Sequence, residues 1–248
     1  CGIPARQPIS EHENINTANG GRCELTALKI GYLNCQSLSN KTSAVHETIV
    51  DKELDGLVLT ESWHRSSDDI CLREAAPDDY AAVDIARPSD PHGGVVFLHR
   101  KTYACTKIAL PPHSTFEGLC TRLCVGGEFF IFLSIYRPPG SKHPSSAFCD
   151  ELTAVLETLV VNSCPVIIGG DLNIHVDDAA DPDANRLAEV LDSFNLVQHV
   201  VGPTHRHGHT LDLVDAFSDC RVDDVSVDPA GIISDHALVT CSVPARHI

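Results

Sequence analysis

The 248 residues carry 34 acidic against 18 basic side chains, a formal net charge of −16, and 43% of them are apolar. That length buries a sizeable core in one large or two small domains, and the charge argues against a general polyanion binder, because phosphate contacts need Lys and Arg, unless acidic residues gather around a divalent-metal site. No apolar run approaches the ~20 residues of a membrane span and no basic-then-apolar signal segment opens the chain, so a soluble globular protein without a membrane partner is expected.

The chain begins at Cys1 and contains no Met, which reads as a piece of a longer protein. Its eleven cysteines are odd in number and scattered. Cys35, Cys120, Cys124 and Cys241 lie inside apolar runs, where a free thiol behaves as a small hydrophobe. With no C-x-x-C pair, a reduced intracellular protein is expected rather than a structural zinc site.

Residues 1–24 are polar and aperiodic, with Pro4, Pro8 and Gly20-Gly21, and read as a flexible lead-in to a folded domain over 25–248. Residues 28–33 alternate as a strand and end on Asn34. Ser37 or Ser39 is placed to cap a helix whose face is Val45, Ile49 and Leu54. Residues 57–60 form a short buried strand that delivers Glu61, ahead of Ser62-Trp63-His64. Residues 64–92, polar and rich in Asp and Pro, read as surface loops, and 93–99 as another strand. Residues 121–125 and 128–135 pair as a hairpin turning at Gly126-Gly127. The second of these strands delivers Tyr136 in front of Arg137-Pro138-Pro139-Gly140.

Phe148, Leu152, Val155, Leu156 and Leu159 recur at helical spacing and predict a helix over 145–161, stopped by Pro165. Residues 166–168 then form a buried strand that breaks at Gly169-Gly170, two residues able to admit a closely approaching backbone or ligand. Asp171 and Asn173, two apart in extended chain, point to the same side. Leu187, Val190, Leu191 and Phe194 mark a helix after the acidic loop 177–183. Residues 211–215 form a strand carrying Asp212, and Ser234-Asp235-His236 precedes a terminal strand over 237–243. Hairpins combined with strand–helix–strand units fit two packed sheets flanked by helices. A doubly wound parallel sheet is the alternative, without the glycine-rich loops of its nucleotide-binding forms.

Asn34, Glu61, Tyr136, Asp171 with Asn173, Asp212 and Asp235-His236 all sit at the ends of apolar runs, where a rigid scaffold presents functional groups. Carboxylates and amide oxygens are hard ligands suited to Mg²⁺ or Mn²⁺. An Asp-His unit supplies an oriented imidazole, and tyrosine and asparagine donate to phosphoryl oxygens. Together they describe metal-assisted hydrolysis of a phosphate ester. A rival set is His205, His207 and His209, which in extended chain would share one side and could ligate zinc or copper.

Leu33-Asn34-Cys35-Gln36-Ser37, Thr60-Glu61-Ser62-Trp63, Ser134-Ile135-Tyr136-Arg137-Pro138-Pro139, Gly170-Asp171-Leu172-Asn173, Thr210-Leu211-Asp212 and Ser234-Asp235-His236 resemble, in order, the motifs of the endonuclease/exonuclease/phosphatase superfamily. Pro203-Thr204-His205 and Gly208-His209-Thr210-Leu211-Asp212 are most similar to the apurinic/apyrimidinic-endonuclease-like domains of LINE-type (non-LTR) retrotransposons. The resemblance spans residues 26–243 and implies a four-layer α/β sandwich of two packed mixed sheets flanked by helices. It implies Glu61 as principal metal ligand with Asn34 beside it, and Asp171 orienting or deprotonating the attacking water. Asn173 and Tyr136 would contact the scissile phosphate, and His236, held by Asp235, would stabilise its developing charge. Asp212 would complete the rim, as a group behind the reacting atoms, as a holder of a loop, or near the metal. Thr204, Thr210, Arg137 and Ser234 would lie against DNA, with 204–212 a DNA-facing loop.

The activity so implied is Mg²⁺-dependent nicking of double-stranded DNA, with Mn²⁺ able to substitute, leaving a 3′-hydroxyl that primes reverse transcription. A reverse transcriptase domain would follow in the same polyprotein, and the isolated domain would be a monomer acting in the nucleus. A repair-type apurinic/apyrimidinic endonuclease, and a phosphatase or phosphodiesterase acting on a lipid or small phosphate ester, are the alternatives within the superfamily. A binding or assembly module is the alternative outside it. Few cations stand near the proposed rim (Arg65, Arg137, Lys142, Arg206), so weak, salt-sensitive DNA binding is expected.

Overall fold

The computed structural model describes residues 25–87, 90, 92–140 and 143–246; the expected lead-in over 1–24 and Lys142 lie outside the described residues. The chain runs β1 (Leu25–Asn34), α1 (Thr42–Asp51), β2 (Gly56–Thr60), α2 (Ile70–Ala75), β3 (Tyr80–Ile85), β4 (Val95–Arg100), β5 (Ala104–Ile108), β6 (Glu117–Val125) and β7 (Glu128–Tyr136). It continues through α3 (Ser145–Leu159), β8 (Val166–Asp171), α4 (Pro182–Ser193), β9 (Leu196–Gln198), β10 (Asp212–Phe217), β11 (Asp223–Val227) and β12 (Val239–Arg246). One six-stranded sheet has the order β11-β12-β1-β2-β4-β3 and the other β5-β6-β7-β8-β10-β9. Each is mixed: β1 and β2 are parallel, as are β7 and β8, and the remaining pairings are antiparallel.

Strand parity makes the four layers, because successive side chains leave opposite faces. Ile30, Tyr32, Val58 and Phe97 of the first sheet meet Leu119, Phe130, Phe132, Ile167 and Val214 of the second in a core between the sheets. The intervening residues face outward. Leu33, Leu57 and Leu59 pack with Val45 and Ile49 of α1 and Leu72 of α2. Ile131, Leu133 and Ile168 pack with Leu152 and Leu156 of α3 and Leu187 of α4. This is the α/β sandwich expected.

Four strands fall where no strand is expected: β3, β5, β9 and β11, the two edges of each sheet. Edge strands bury little; β5 has no buried residue among its five and β11 none among its five, so neither shows an apolar run. Helix α2, within the presumed loops, is capped by Asp69, whose carboxylate accepts the Cys71 amide. The expected serine cap on α1 is absent: the helix starts after Lys41 without a side-chain cap. Ser37 N instead donates to Glu61 O at 2.7 Å, and Leu38 N to Ser62 O at 3.1 Å, which ties the exits of β1 and β2 together.

Candidate active site

Because β1 runs parallel to β2 and β7 parallel to β8, Asn34, Thr60, Tyr136 and Asp171 end their strands at the same rim. β10 is antiparallel to β8 and starts there, with Asp212 directly opposite Asp171. The loop into β12 brings Asp235 and His236. Sequence separations of up to 200 residues thus close into one cluster, with Ser234 Oγ donating to Asn34 O.

Asn34 is the centre of it. Its Nδ2 donates to Glu61 Oε1 at 2.8 Å and to Asp171 Oδ2 at 2.7 Å, while its Oδ1 accepts Gln36 N at 3.1 Å. Asn34 thus bridges the two carboxylates through its donors, with Oδ1 on the Gln36 amide. Two flanking carboxylates only accept, so the amide turns its donors to them.

Asp171 is fully buried. Its Oδ1 accepts Asn173 N at 3.0 Å and its Oδ2 accepts Asn173 Nδ2 at 3.0 Å. Asn173 Nδ2 also reaches Arg137 O at 2.8 Å, with the residue in left-handed backbone at φ 48°. Before it, Gly170 has φ 134°, and a Cβ there would lie 2.1 Å from Ile135 O; a Cβ on Gly169 would strike the Tyr32 ring. Close packing by the neighbouring strand and the inter-sheet core, not a ligand, accounts for this glycine pair.

Glu61 also adopts left-handed backbone, at φ 50°, as does Trp63 at φ 56°. Such conformations persist where surrounding contacts enforce them. Ser62 N donates to Gly94 O at 3.2 Å and Trp63 N to Gly93 O at 2.8 Å. Behind them runs a buried chain: Ser62 Oγ to His64 Nδ1 at 2.7 Å, His64 Nε2 to Asp84 Oδ2 at 3.0 Å, and Ser67 Oγ to the same Asp84 oxygen at 3.0 Å. The sequence reading missed Asp84, which lies on the edge strand β3 and carries no local signal.

His236 is held by a carboxylate other than the one expected. Asp212 Oδ2 lies 2.8 Å from His236 Nδ1, and His236 Nε2 lies 3.9 Å from Asp171 Oδ2. Asp235 instead accepts Gln36 Nε2 at 3.2 Å and faces His205 Nε2 at 3.5 Å. Adjacent residues in extended chain point apart, so Asp235 and His236 diverge, whereas Asp212 approaches from the other sheet.

Burial raises the Asp171 carboxyl well above the usual carboxylate range, with nearby Asp212 adding to the shift. Burial opposes charge on His236, but the Asp212 carboxylate outweighs it and holds the imidazole protonated above its ordinary range. Burial, then the Glu61 carboxylate to which it donates, keeps the Tyr136 hydroxyl protonated throughout the accessible pH range. The rim thus offers acceptor carboxylates, a cationic imidazole and a phenolic donor within one pocket.

The donor set fits a divalent cation. The buried Asp171 and Asp212 carboxylates stand together beside the His236 imidazole, one atom of each within 4.8 Å of the others, so the oxygens are the metal donors and the imidazolium their neighbour. Packed carboxylates of this kind are relieved by a bound cation, and half-buried Glu61 supplies a further hard oxygen at the mouth.

The four residues expected against DNA are placed otherwise. Thr204 is fully buried, its Oγ1 accepting Leu211 N and Asp212 N, each at 2.9 Å. Thr210 Oγ1 donates to Gly202 O at 2.7 Å. The Arg137 guanidinium donates to Asn173 O at 3.1 Å and lies over the Phe148 ring. Ser234 is spent on Asn34. All four are braces: each hydroxyl or guanidinium is used inside the protein. Arg206, with 61% of its side chain exposed, is the cation that remains outward at this loop.

The three alternating histidines do not meet at one point, although the His205 and His207 rings lie 4.9 Å apart between centroids. Gly208 N donates to His205 O at 2.9 Å, closing a turn in which the segment is not extended. His209 leaves to stack on His175 at 4.0 Å between ring centroids and to contact Asp177 at 3.1 Å.

The sequence model of the Endonuclease/Exonuclease/phosphatase family matches residues 31–236. Comparison with curated protein sequences returns no match. Among solved structures, the AP endonuclease LMAP from Leishmania major superposes with a TM-score of 0.70 at 17% identity, covering 88% of each chain. The endonuclease domain of TRAS1, a telomere-specific non-LTR retrotransposon, also scores 0.70, at 13% identity over 88% of this chain and 98% of that one. The 3′ phosphatase NExo from Neisseria, bound to product DNA hairpin, scores 0.66 at 20% identity over 88% and 99%. At these identities the likeness is one of fold.

Proposed function

Because the chain belongs to the Endonuclease/Exonuclease/phosphatase family, whose members are divalent-metal-dependent phosphoester hydrolases, we propose that it is a DNA endonuclease that uses Mg²⁺, or Mn²⁺ in its place, to cut one strand and leave a 3′-hydroxyl. The observation that carries this reading is the hydrogen-bonded line Glu61–Asn34–Asp171 meeting the Asp212–His236 pair at one rim.

Glu61 and Asp171, both bridged by Asn34, are the carboxylates that would hold the cation, which when bound would supply Lewis-acid polarisation of the phosphate and offset its charge. Asp171, fixed by Asn34 and Asn173, orients the attacking water and takes its proton. Tyr136 would turn its hydroxyl from Glu61 to a non-bridging oxygen when the cation takes that carboxylate, while Asn173, whose two amide hydrogens go to Asp171 and Arg137 O, fixes the Asp171 carboxylate beside the phosphate. His236, kept cationic by Asp212, faces the negative charge that develops on phosphorus. Asp235 supports this end through Gln36 rather than through the imidazole.

The substrate we assign is double-stranded DNA, and the biological role is to prime reverse transcription of a non-LTR retrotransposon in the nucleus. Support comes from the Pro203-Thr204-His205 and Gly208–Asp212 motifs together with the likeness to the TRAS1 domain. A reverse transcriptase domain in the same polyprotein is the corresponding partner, and the isolated domain is taken as a monomer. A repair-type reading is favoured by the likeness to LMAP.

Incubation of supercoiled plasmid with Mg²⁺, with and without chelator, followed by mapping of the ends, tests the proposal. Chelator-sensitive nicks ending in 3′-hydroxyl are expected. A 3′-phosphate, or cutting confined to abasic plasmid, overturns the mechanism or the retrotransposon role respectively.

A further inference from the structure

We infer that His205, Asp235 and His236 form a second metal site, suited to a transition-metal cation of the Zn²⁺ class, whose occupancy closes the catalytic centre. One donor atom from each lies within 4.8 Å of the others. The backbone holds them there. His205 and His236 form an isolated antiparallel bridge, flanked by Ala237 N to Thr204 O at 2.6 Å and Arg206 N to Asp235 O at 2.9 Å. The two imidazoles meet edge to face at 4.8 Å between centroids, and His205 Nε2 stands 3.5 Å from Asp235 Oδ2. Asp235 Oδ1 is buried without a hydrogen-bond partner.

The chemistry separates this site from the Glu61 side. Two imidazoles and one carboxylate, with a fourth position open, suit Zn²⁺, whereas Mg²⁺ favours oxygen donors. Asp212 accepts from His236 Nδ1 and leaves Nε2 for a metal, which binds there by displacing the Nε2 proton to solvent, in the carboxylate–histidine–metal arrangement that raises ligand basicity. Only His205 of the alternating histidines takes part; the other two ligands come from the loop before β12. A cation on His236 Nε2 takes the edge that the imidazole presents to phosphate. The inhibitory consequence rests on the assignment of His236 to catalysis, while the site itself does not.

The test titrates zinc ion into untagged protein against a chromophoric chelator, for the wild type and for His205→Gln and His207→Gln, with folding checked by circular dichroism. Loss of an outer-shell partner alone costs ~10–100-fold in metal affinity, so His205→Gln should weaken the tightest zinc site at least tenfold and His207→Gln should leave it unchanged. In Mg²⁺-supported nicking, each protein is scaled to its own zinc-free rate. The half-inhibitory zinc concentration should rise for His205→Gln by the same factor as its affinity falls. Wild-type zinc affinity in His205→Gln, or an equal loss in His207→Gln, overturns the site. Zinc bound through His205 without inhibition overturns its link to catalysis. A wild type that fails to nick with Mg²⁺ removes the endonuclease reading and with it that link, and the chelator titration still decides the site.

Discussion

Asn34 Nδ2 donates to Asp171 Oδ2 at 2.7 Å across the seam between the two sheets, 137 residues apart in sequence. The same amide group holds Glu61 at 2.8 Å, so one side chain sets the spacing of two carboxylates that otherwise repel. Asn34→Asp replaces a donor by a third carboxylate. Nicking should fall on the order of 10²–10³-fold, the usual cost of one positioned group at such a site, and the Mg²⁺ concentration giving half-maximal rate should shift. Wild-type rate and metal dependence would exclude the bridging role.

Asp171→Ala and His236→Ala are expected to lose activity by ~10²–10³-fold or more while remaining folded. Near-wild-type nicking of supercoiled plasmid by either variant defeats the assignment of roles.

Asp212 and Asp235 should separate under the same substitution. Asp212→Asn removes the charge that keeps His236 cationic above its ordinary range. The alkaline limb of the pH–rate profile should therefore move to lower pH, because the imidazole loses its proton sooner. Asp235→Asn should leave that limb nearly in place. Equal shifts in the two profiles would show that Asp212 is not the group controlling His236.

The proteins' grip on DNA should depend on an exposed cation rather than the buried one. Arg206→Ala should weaken binding and reduce the slope of log affinity against log salt by about 1. Arg137→Ala should lower the melting temperature, through loss of its contacts to Leu172 O, Asn173 O and the Phe148 ring, and leave the slope unchanged. The opposite pattern would return Arg137 to the DNA interface.

Asp215 sits fully buried on β10 with Oδ1 unpartnered, and burial pushes its carboxyl up to about 8. The unfolded chain releases that proton near pH ~3.9. Between about 4 and about 8 the folded state thus binds more protons than the unfolded one, and its stability falls as pH rises through that window. Asp215→Asn removes this dependence. Its melting temperature should exceed that of the wild type by a margin that grows toward pH ~8; a constant margin would show that Asp215 does not carry the effect.

Much of the fold was legible because the central strands advertise themselves. β2, β4, β7 and β8 are flanked on both faces and read as apolar runs, and three of them deliver a polar residue at a recognisable break: Glu61 after Thr60 of β2, Tyr136 before Arg137 at the end of β7, and Asp171 after the glycine pair of β8. The four edge strands left little trace, since β5 and β11 have no buried residue, β9 has one and β3 two. Ordered motifs therefore determined the family, the sandwich and the membership of the rim. They did not determine who touches whom. That Asp212 rather than Asp235 holds His236, that the Asn34 amide bridges Glu61 and Asp171, and that Thr204 and Arg137 are braces all depend on contacts between segments far apart in sequence. A strand's parity assigns a side chain to a face, but the register and stacking of two sheets decide which atom it meets there.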